Sequence, residues 1–161
     1  MDQQPDQPWY ETMVIPALLR HARSAYGGAM RAALAENGCD DMPANGMWVI
    51  GGLAMGAGSA PLGALIRDLG VSKQAAGQLV DTLVLRGYIE RAVDPDDRRR
   101  MTIALTPRGK AAAAAQAAAR QTIDDALIER VGPRCVDAMR KGLGALCAIG
   151  RDEAAERHAD H

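Results

Sequence analysis

The residues of this 161-residue chain that are placed to do chemistry together lie close along one stretch. Asp94-Pro95-Asp96-Asp97-Arg98-Arg99-Arg100 is made a turn by its proline and aspartates, and it carries three arginines in a row. A guanidinium suits phosphate oxygens and narrow, electronegative grooves, and a neighbouring carboxylate such as Asp97 can hold it ready. Earlier in the chain Lys73, Gln74 and Gln78 place donors and acceptors at helical spacing. Glutamine can bond an adenine edge in two places, and lysine can bond guanine or phosphate. The plainer alternative is an amphipathic surface helix followed by a solvated charged turn. Other chemistry finds little footing. His21, His158 and His161 have no paired spacing with cysteine or carboxylate for a metal, and no Ser/His/Asp or Cys/His arrangement can be argued. Gly51-Gly52 lacks the lysine and strand context of a phosphate loop. No enzyme, cofactor or metal site is expected. Cys39, Cys135 and Cys147 are read as unpaired thiols, with a redox sensor as the alternative because Cys39 falls in a loop and Cys135 near a helix start.

The elements that would position the arginines and glutamines read as two short helices and a hairpin. Ser59-Ala60-Pro61 offers a helix cap and a first-turn proline, followed by Leu62, Leu65, Ile66 and Leu69 on one face, with Gly70 as the stop. Ser72 caps a second helix to about Arg86. Its Ala76, Leu79, Val80 and Leu83 face inward and Lys73, Gln74 and Gln78 face out. After Gly87 the period becomes two: Tyr88 to Arg91 is one strand, and Met101, Ile103 and Leu105 alternate with Thr102 and Ala104 in another. Thr106-Pro107 opens a new helix. This is the plan of a winged helix.

These residues carry a resemblance. Asp97-x-Arg99, then Ile103-x-Leu105-Thr106 and Gly109, resemble the wing signature of the MarR family of bacterial transcription regulators. Gly70-Val71-Ser72-Lys73-Gln74, through Leu83, to Arg86-Gly87-Tyr88-Ile89-Glu90-Arg91 is similar to that family's recognition helix and first wing strand. Gly77 and Gln78 stand where many relatives have a hydroxyl residue and arginine. The resemblance implies a homodimer on a pseudopalindromic operator, with the recognition helix in the major groove and the wing in the minor groove of double-stranded DNA. Asp97 would orient Arg99 into the minor groove, and Arg98 and Arg100 would meet phosphate. With Ser72 and Arg91, the candidate DNA-contacting set is Ser72, Lys73, Gln74, Gln78, Arg91, Asp97, Arg98, Arg99 and Arg100. The resemblance also implies a pocket for a small aromatic or lipophilic effector where the dimer helices meet the winged lobe, for which Tyr26, Met47 and Trp48 are candidates if they are not plain core. Repression is the commoner mode in the family. Thiol-sensing relatives place the reactive cysteine in the first helix, where Val14 to Met30 has none.

Composition bounds the rest. Nearly half the residues are apolar, but phenylalanine is absent and aromatics are 3%. Alanine, leucine, valine and methionine must fill the core, a mixture that favours helices. No run approaches the length of a membrane span and the first residues lack a signal peptide's pattern, so a cytoplasmic protein is expected. The net charge of −1 argues against a nonspecific nucleic-acid binder, yet Arg67 to Lys110 holds nine basic residues against six acidic. The positive balance coincides with the expected winged helix.

The flanks are helical. From Thr12 to Glu36, Leu18, Leu19, Ala22, Tyr26, Met30, Ala33 and Leu34 form a stripe, and Pro16 either sits in the first turn or kinks the helix. Gly27-Gly28 calls for close packing against another helix. Met47 to Met55 forms a further apolar helix. A stiff, alanine-rich helix runs from Pro107 to about Arg130, Gly132-Pro133 breaks it, and a last helix runs from Arg134 to about Ile149, with Cys147 on its apolar side. The fold class is therefore mainly α with a small β-hairpin wing: a winged helix-turn-helix lobe plus a helical dimerisation region. By residue, 1–10 would be a flexible arm, 11–37 and 107–149 the dimerisation region, 46–106 the DNA-binding lobe and 150–161 a frayed tail. The rival reading is a winged helix that grips an acidic protein partner.

Overall fold

The computed structural model describes residues 8–68, 71–93 and 101–159. Its chain divides into one unit through Arg120 and a second from Gln121. In the first unit, Trp9–Glu11 makes a single 3-10 turn, and α1 (Ile15–Glu36) follows. Pro16 occupies α1's first turn, where its missing N–H costs nothing. Gly38, at φ 68°, ends α1: the Cys39 amide donates back to the Leu34 carbonyl at 2.8 Å and the Gly38 amide to that of Ala35 at 3.1 Å. Next come α2 (Gly46–Met55), β1 (Ser59–Pro61), α3 (Leu62–Asp68), α4 (Lys73–Leu85), β2 (Ile89–Val93), β3 (Met101–Leu105) and the first part of α5 (Pro107–Val131).

Ser59-Ala60-Pro61 departs from expectation. Rather than opening α3, these residues form an edge strand antiparallel to β3, with Ser59 opposite Ala104 and Pro61 opposite Thr102. The positive φ of Gly58 turns the chain into this strand, and the Leu105 amide donates to the Gly58 carbonyl at 2.9 Å. A proline has no N–H for a ladder, so an edge strand's end can hold it. The sheet order is β1-β3-β2, and the expected hairpin is its β2-β3 half.

The core is built from Met30 and Leu34 of α1, Val49, Ile50 and Leu53 of α2, Leu65 of α3, Val80 and Leu83 of α4, Ile89, Ile103 and Leu105 of the sheet, and Ala112 and Ala113 of α5. With no phenylalanine to fill the centre, Tyr88 is the largest fully buried side chain. The close packing expected at Gly27-Gly28 does not demand either glycine: a Cβ on Gly27 would meet Met47 Cε at an ordinary 3.7 Å and the mobile Arg31 Nη1 at 3.3 Å, and one on Gly28 would meet nothing within 4 Å. Gly109, on the first turn of α5, has a stricter reason: a Cβ would overlap the Tyr88 carbonyl.

In the second unit α5 ends at Gly132, φ 79°, and α6 (Pro133–Ala159) begins with proline in its first turn. The helix passes the end expected near Ile149 because Arg151 to His158 consists mostly of good helix formers. Val136 is the buried residue among those of α6 whose exposure is described, while Met139, Leu146 and Ile149 are exposed. Cys147, expected on the apolar side, is exposed too. No helix among the described residues is long and apolar enough to cross a membrane.

Gly109→Ala is expected to destabilise the protein by about 1–3 kcal/mol, the range for forcing an extra carbon into a packed site. Urea denaturation checks this. A change within about 0.5 kcal/mol would mean that the Tyr88 backbone gives way freely.

Candidate nucleic-acid interface

Ser72 caps α4, its Oγ accepting the Ala75 amide at 3.2 Å. Ala76, Val80 and Leu83 pin the helix to the core, and on the opposite face Lys73, Gln74, Gln78 and Asp81 are exposed. The spacing of 74, 78 and 81 puts these three on one strip. Between them, Gly77 has no atom within 4 Å of where a Cβ would stand, so the backbone there is open to a close approach. Gly87, φ 72°, ends α4 with the same pair of bonds that ends α1: Tyr88 N–H to Leu83 carbonyl and Gly87 N–H to Val84 carbonyl, each 2.9 Å. That turn sends Tyr88 inward and starts β2. Arg91 on β2 pairs with Asp81 of α4, tying the base of the wing to the exposed strip. Both side chains are largely solvated, so the pair fixes direction more than it adds stability. The expected contacts Asp97, Arg98, Arg99 and Arg100 lie outside the described residues, as does Gly70. The structure therefore brings Ser72, Lys73, Gln74, Gln78 and Arg91 to one side of the lobe.

Behind this surface is a polar cluster that no sequence spacing signals. The Tyr88 hydroxyl donates to Asp41 Oδ1, and Arg108 reaches the same carboxylate at 3.0 Å. Arg108 also donates to the carbonyls of Arg86 and Gly38, and its guanidinium lies 4.3 Å above the Tyr88 ring. Thr106 Oγ1 donates to the Gly87 carbonyl at 2.6 Å and accepts the Gly109 amide at 3.1 Å. Tyr88's hydrogen bond and the Arg108 charge hold the Asp41 carboxyl below its ordinary value, while burial and that same hydrogen bond push the Tyr88 phenol up. The one available clue was that a buried tyrosine hydroxyl needs a partner. Asp41, 47 residues away, could not be picked out from that alone.

Of the expected effector residues, Met47 and Trp48 do line a shallow pocket between α1 and α2 of about 230 Å³, with Arg20, Arg23, Arg31 and Asn45. Arg23 lies 4.7 Å over the Trp48 ring. Among the described residues no carboxylate pairs with any of these arginines. Tyr26 is not in that lining; it packs against the core cluster. Cys39 is buried, its thiol directed at the Asn37 carbonyl, whereas Cys135 and Cys147 are exposed.

Residues 40–100 match the family model described as MarR family. This winged lobe is of the MarR family. The fold agrees. RV1404 from Mycobacterium tuberculosis is similar at 25% identity with a TM-score of 0.64, over 84% of this chain and 90% of that one. NadR in complex with 4-hydroxyphenylacetate is similar at 20% identity and a TM-score of 0.66, over 91% and 97%. A mutant MarR from E. coli complexed with operator DNA is similar at 20% and 0.65, over 88% and 99%. No curated protein sequence matches. In this MarR-type lobe the recognition-helix position is taken by α4, and β2 and β3 are the wing strands.

Asp41 gives a pH test. A carboxyl held below its ordinary 3.8 in the folded state adds stability that is complete above that value and is lost as the pH falls through the folded one. The stability gap between wild type and Asp41→Asn in urea should be constant above about pH 5 and close on acidification. A gap unchanged down to the acid transition would mean that the carboxylate does not hold Tyr88 and Arg108.

Proposed function

We propose that the protein is a DNA-binding transcription regulator that acts as a homodimer on a pseudopalindromic operator. The observation that carries this is the exposed strip of α4, where Lys73, Gln74 and Gln78 stand clear of the core beside an open backbone at Gly77, with the wing strands fastened alongside by Arg91 and Asp81. A helix whose outer face offers bidentate amides and a lysine fits a major groove, and Arg99 on the wing would enter the flanking minor groove. Two such lobes would sit on half-sites about one helical turn, roughly 34 Å, apart. The dimer is supported by apolar groups left bare at the terminal segments: Trp9, Val14 and Ile15 before or in α1, and Met139, Leu146 and Ile149 on α6. Residues 11–37 and 107–149 would form the dimerisation region.

The pocket between α1 and α2 is the site for an effector. Three arginines without a described carboxylate partner, beside an indole face, fit an organic acid with an aromatic body. The similar fold of NadR, solved with 4-hydroxyphenylacetate, supports the same class. An effector that binds one spacing of the two recognition helices better than another shifts operator affinity by that preference alone, and repression relieved by the acid is the mode proposed.

Binding to a labelled fragment of the gene's own upstream region, at two salt concentrations, tests the regulator reading. A specific shift that weakens steeply with salt is expected, and Arg99→Ala should flatten the slope by about one unit. Gln74→Ala should relax sequence preference by about 1–3 kcal/mol at one base position. No salt-dependent binding by a folded dimer to any duplex in a random-sequence selection would leave the winged helix as a protein-contact module.

For the effector, 4-hydroxyphenylacetate is expected to quench Trp48 emission in a Trp9→Phe background, and Arg23→Ala to remove the quench. Quenching that survives Arg23→Ala would place the acid elsewhere.

A further inference from the structure

Gln116 of α5 is fully buried, at 0% exposure, and the protein satisfies only half of its amide. The amide nitrogen reaches Met42 Sδ at 3.9 Å, a weak acceptor on the loop that also supplies Asp41. The oxygen, Oε1, meets no donor among the described residues. Turning the amide over does not help. The oxygen would then face a thioether, which has no hydrogen to give, and the NH2 group would turn toward the Arg120 guanidinium, which accepts nothing. A buried amide oxygen without a donor is costly, and in folded proteins such atoms as a rule have a partner.

The space in front of Oε1 is closely defined. A Cβ built on Gly51 of α2, itself buried, would stand 3.3 Å from Oε1 and 3.6 Å from Arg120 Nη1. Apart from the backbone of α2 and the two flanking residues, no other described atom comes within 4 Å of that point. An acceptor that lacks a donor and a guanidinium that has only donors therefore converge on the bare side of Gly51. We propose that a single water molecule is bound there, between α2 and α5, donating to Gln116 Oε1 and accepting from Arg120 Nη1. Water has a donor and an acceptor on one small atom, which is what two such partners require. A cation would be repelled by the guanidinium, and an anion would put its charge against the amide oxygen. The water completes a polar seam that runs from Met42 through Gln116 to Arg120, joining the loop before α2, the buried face of α2 and α5. The site goes beyond the regulator reading and stands without it.

The test is a crystal structure of the full chain together with a double-mutant cycle in urea. Density for a water within hydrogen-bond distance of both Gln116 Oε1 and Arg120 is expected in the wild type. Gly51→Ala should expel this water and leave Oε1 unpaired, so the urea midpoint should fall even though alanine is the better helix former. Gln116→Met keeps the bulk and removes the oxygen, and in that background the same Gly51→Ala should raise the midpoint. A Gly51→Ala chain that folds only in company with Gln116→Met carries the same sign. If Gly51 matters for bulk alone, alanine lowers the midpoint in both backgrounds, and that result overturns the site. So does a crystal structure in which Oε1 takes its hydrogen bond directly from Arg120, or in which no water lies beside it.

Discussion

The winged lobe depends on the burial of one tyrosine. Tyr88 is fully buried, and its ring fills the volume that phenylalanine would occupy in a more ordinary core. A hydroxyl taken out of water without a partner costs a few kcal/mol, so the site has to supply an acceptor. Asp41 does this from the loop between α1 and α2, and Arg108 on α5 neutralises that carboxylate while covering the ring. At the backbone end of the same residue, the Tyr88 carbonyl accepts the Thr106 amide at 3.2 Å and lies against Gly109. One residue thus fastens three segments distant in sequence. Asp41 and Arg108 stay partly in water, at 41% and 40% exposure, so removing Asp41 leaves the Tyr88 hydroxyl as the buried group without its acceptor.

This fastening explains how the reading surface keeps its direction. The end of α4 and the start of β2 meet at Gly87-Tyr88, so whatever fixes Tyr88 also fixes the angle between helix and wing. Arg91 and Asp81 repeat the constraint on the solvent side. The loop that supplies Asp41 continues to Ala44 and Asn45, which line the arginine-rich pocket between α1 and α2. The pocket and the base of the wing therefore share a short run of backbone. Only Met42, Pro43 and Ala44 lie between Asn45 and Asp41.

Much of the lobe was legible in the sequence because its signals are local. The Ser72 cap, the inward Ala76, Val80 and Leu83, the left-handed Gly87 and the Met101–Leu105 strand each follow from residue type and period within one element. What escaped was non-local. Ser59-Ala60-Pro61 has the local look of a helix start, and only the free edge of β3, more than forty residues on, makes it a strand. Arg108 reads as one more base near a helix end until Tyr88 and Asp41 are seen around it. The α1–α2 pocket is half visible in the sequence: Met47 and Trp48 stand out as apolar candidates, but the gathering of Arg20, Arg23 and Arg31 beside them depends on how two helices lie together.

The two units differ in how far they satisfy their own chemistry. The first has a centre in which Ile50, Val80, Leu83 and Ile103 are wholly buried. The second places apolar side chains of α6 in water, with Val136 alone buried among the residues whose exposure is described. A long helix that buries so little gains almost nothing from the hydrophobic term and must rely on propensity, which rarely suffices by itself. Alanine-rich α5 and the regular spacing of Met139, Leu146 and Ile149 on α6 make sense if those faces meet another chain, since small residues permit close approach and the larger ones supply the area. The same assembly would set the distance between two copies of α4. A regulator assembled in that way would have the outer face of α4 held within each chain by Tyr88, and the separation of two such faces set by the helices that the pair completes.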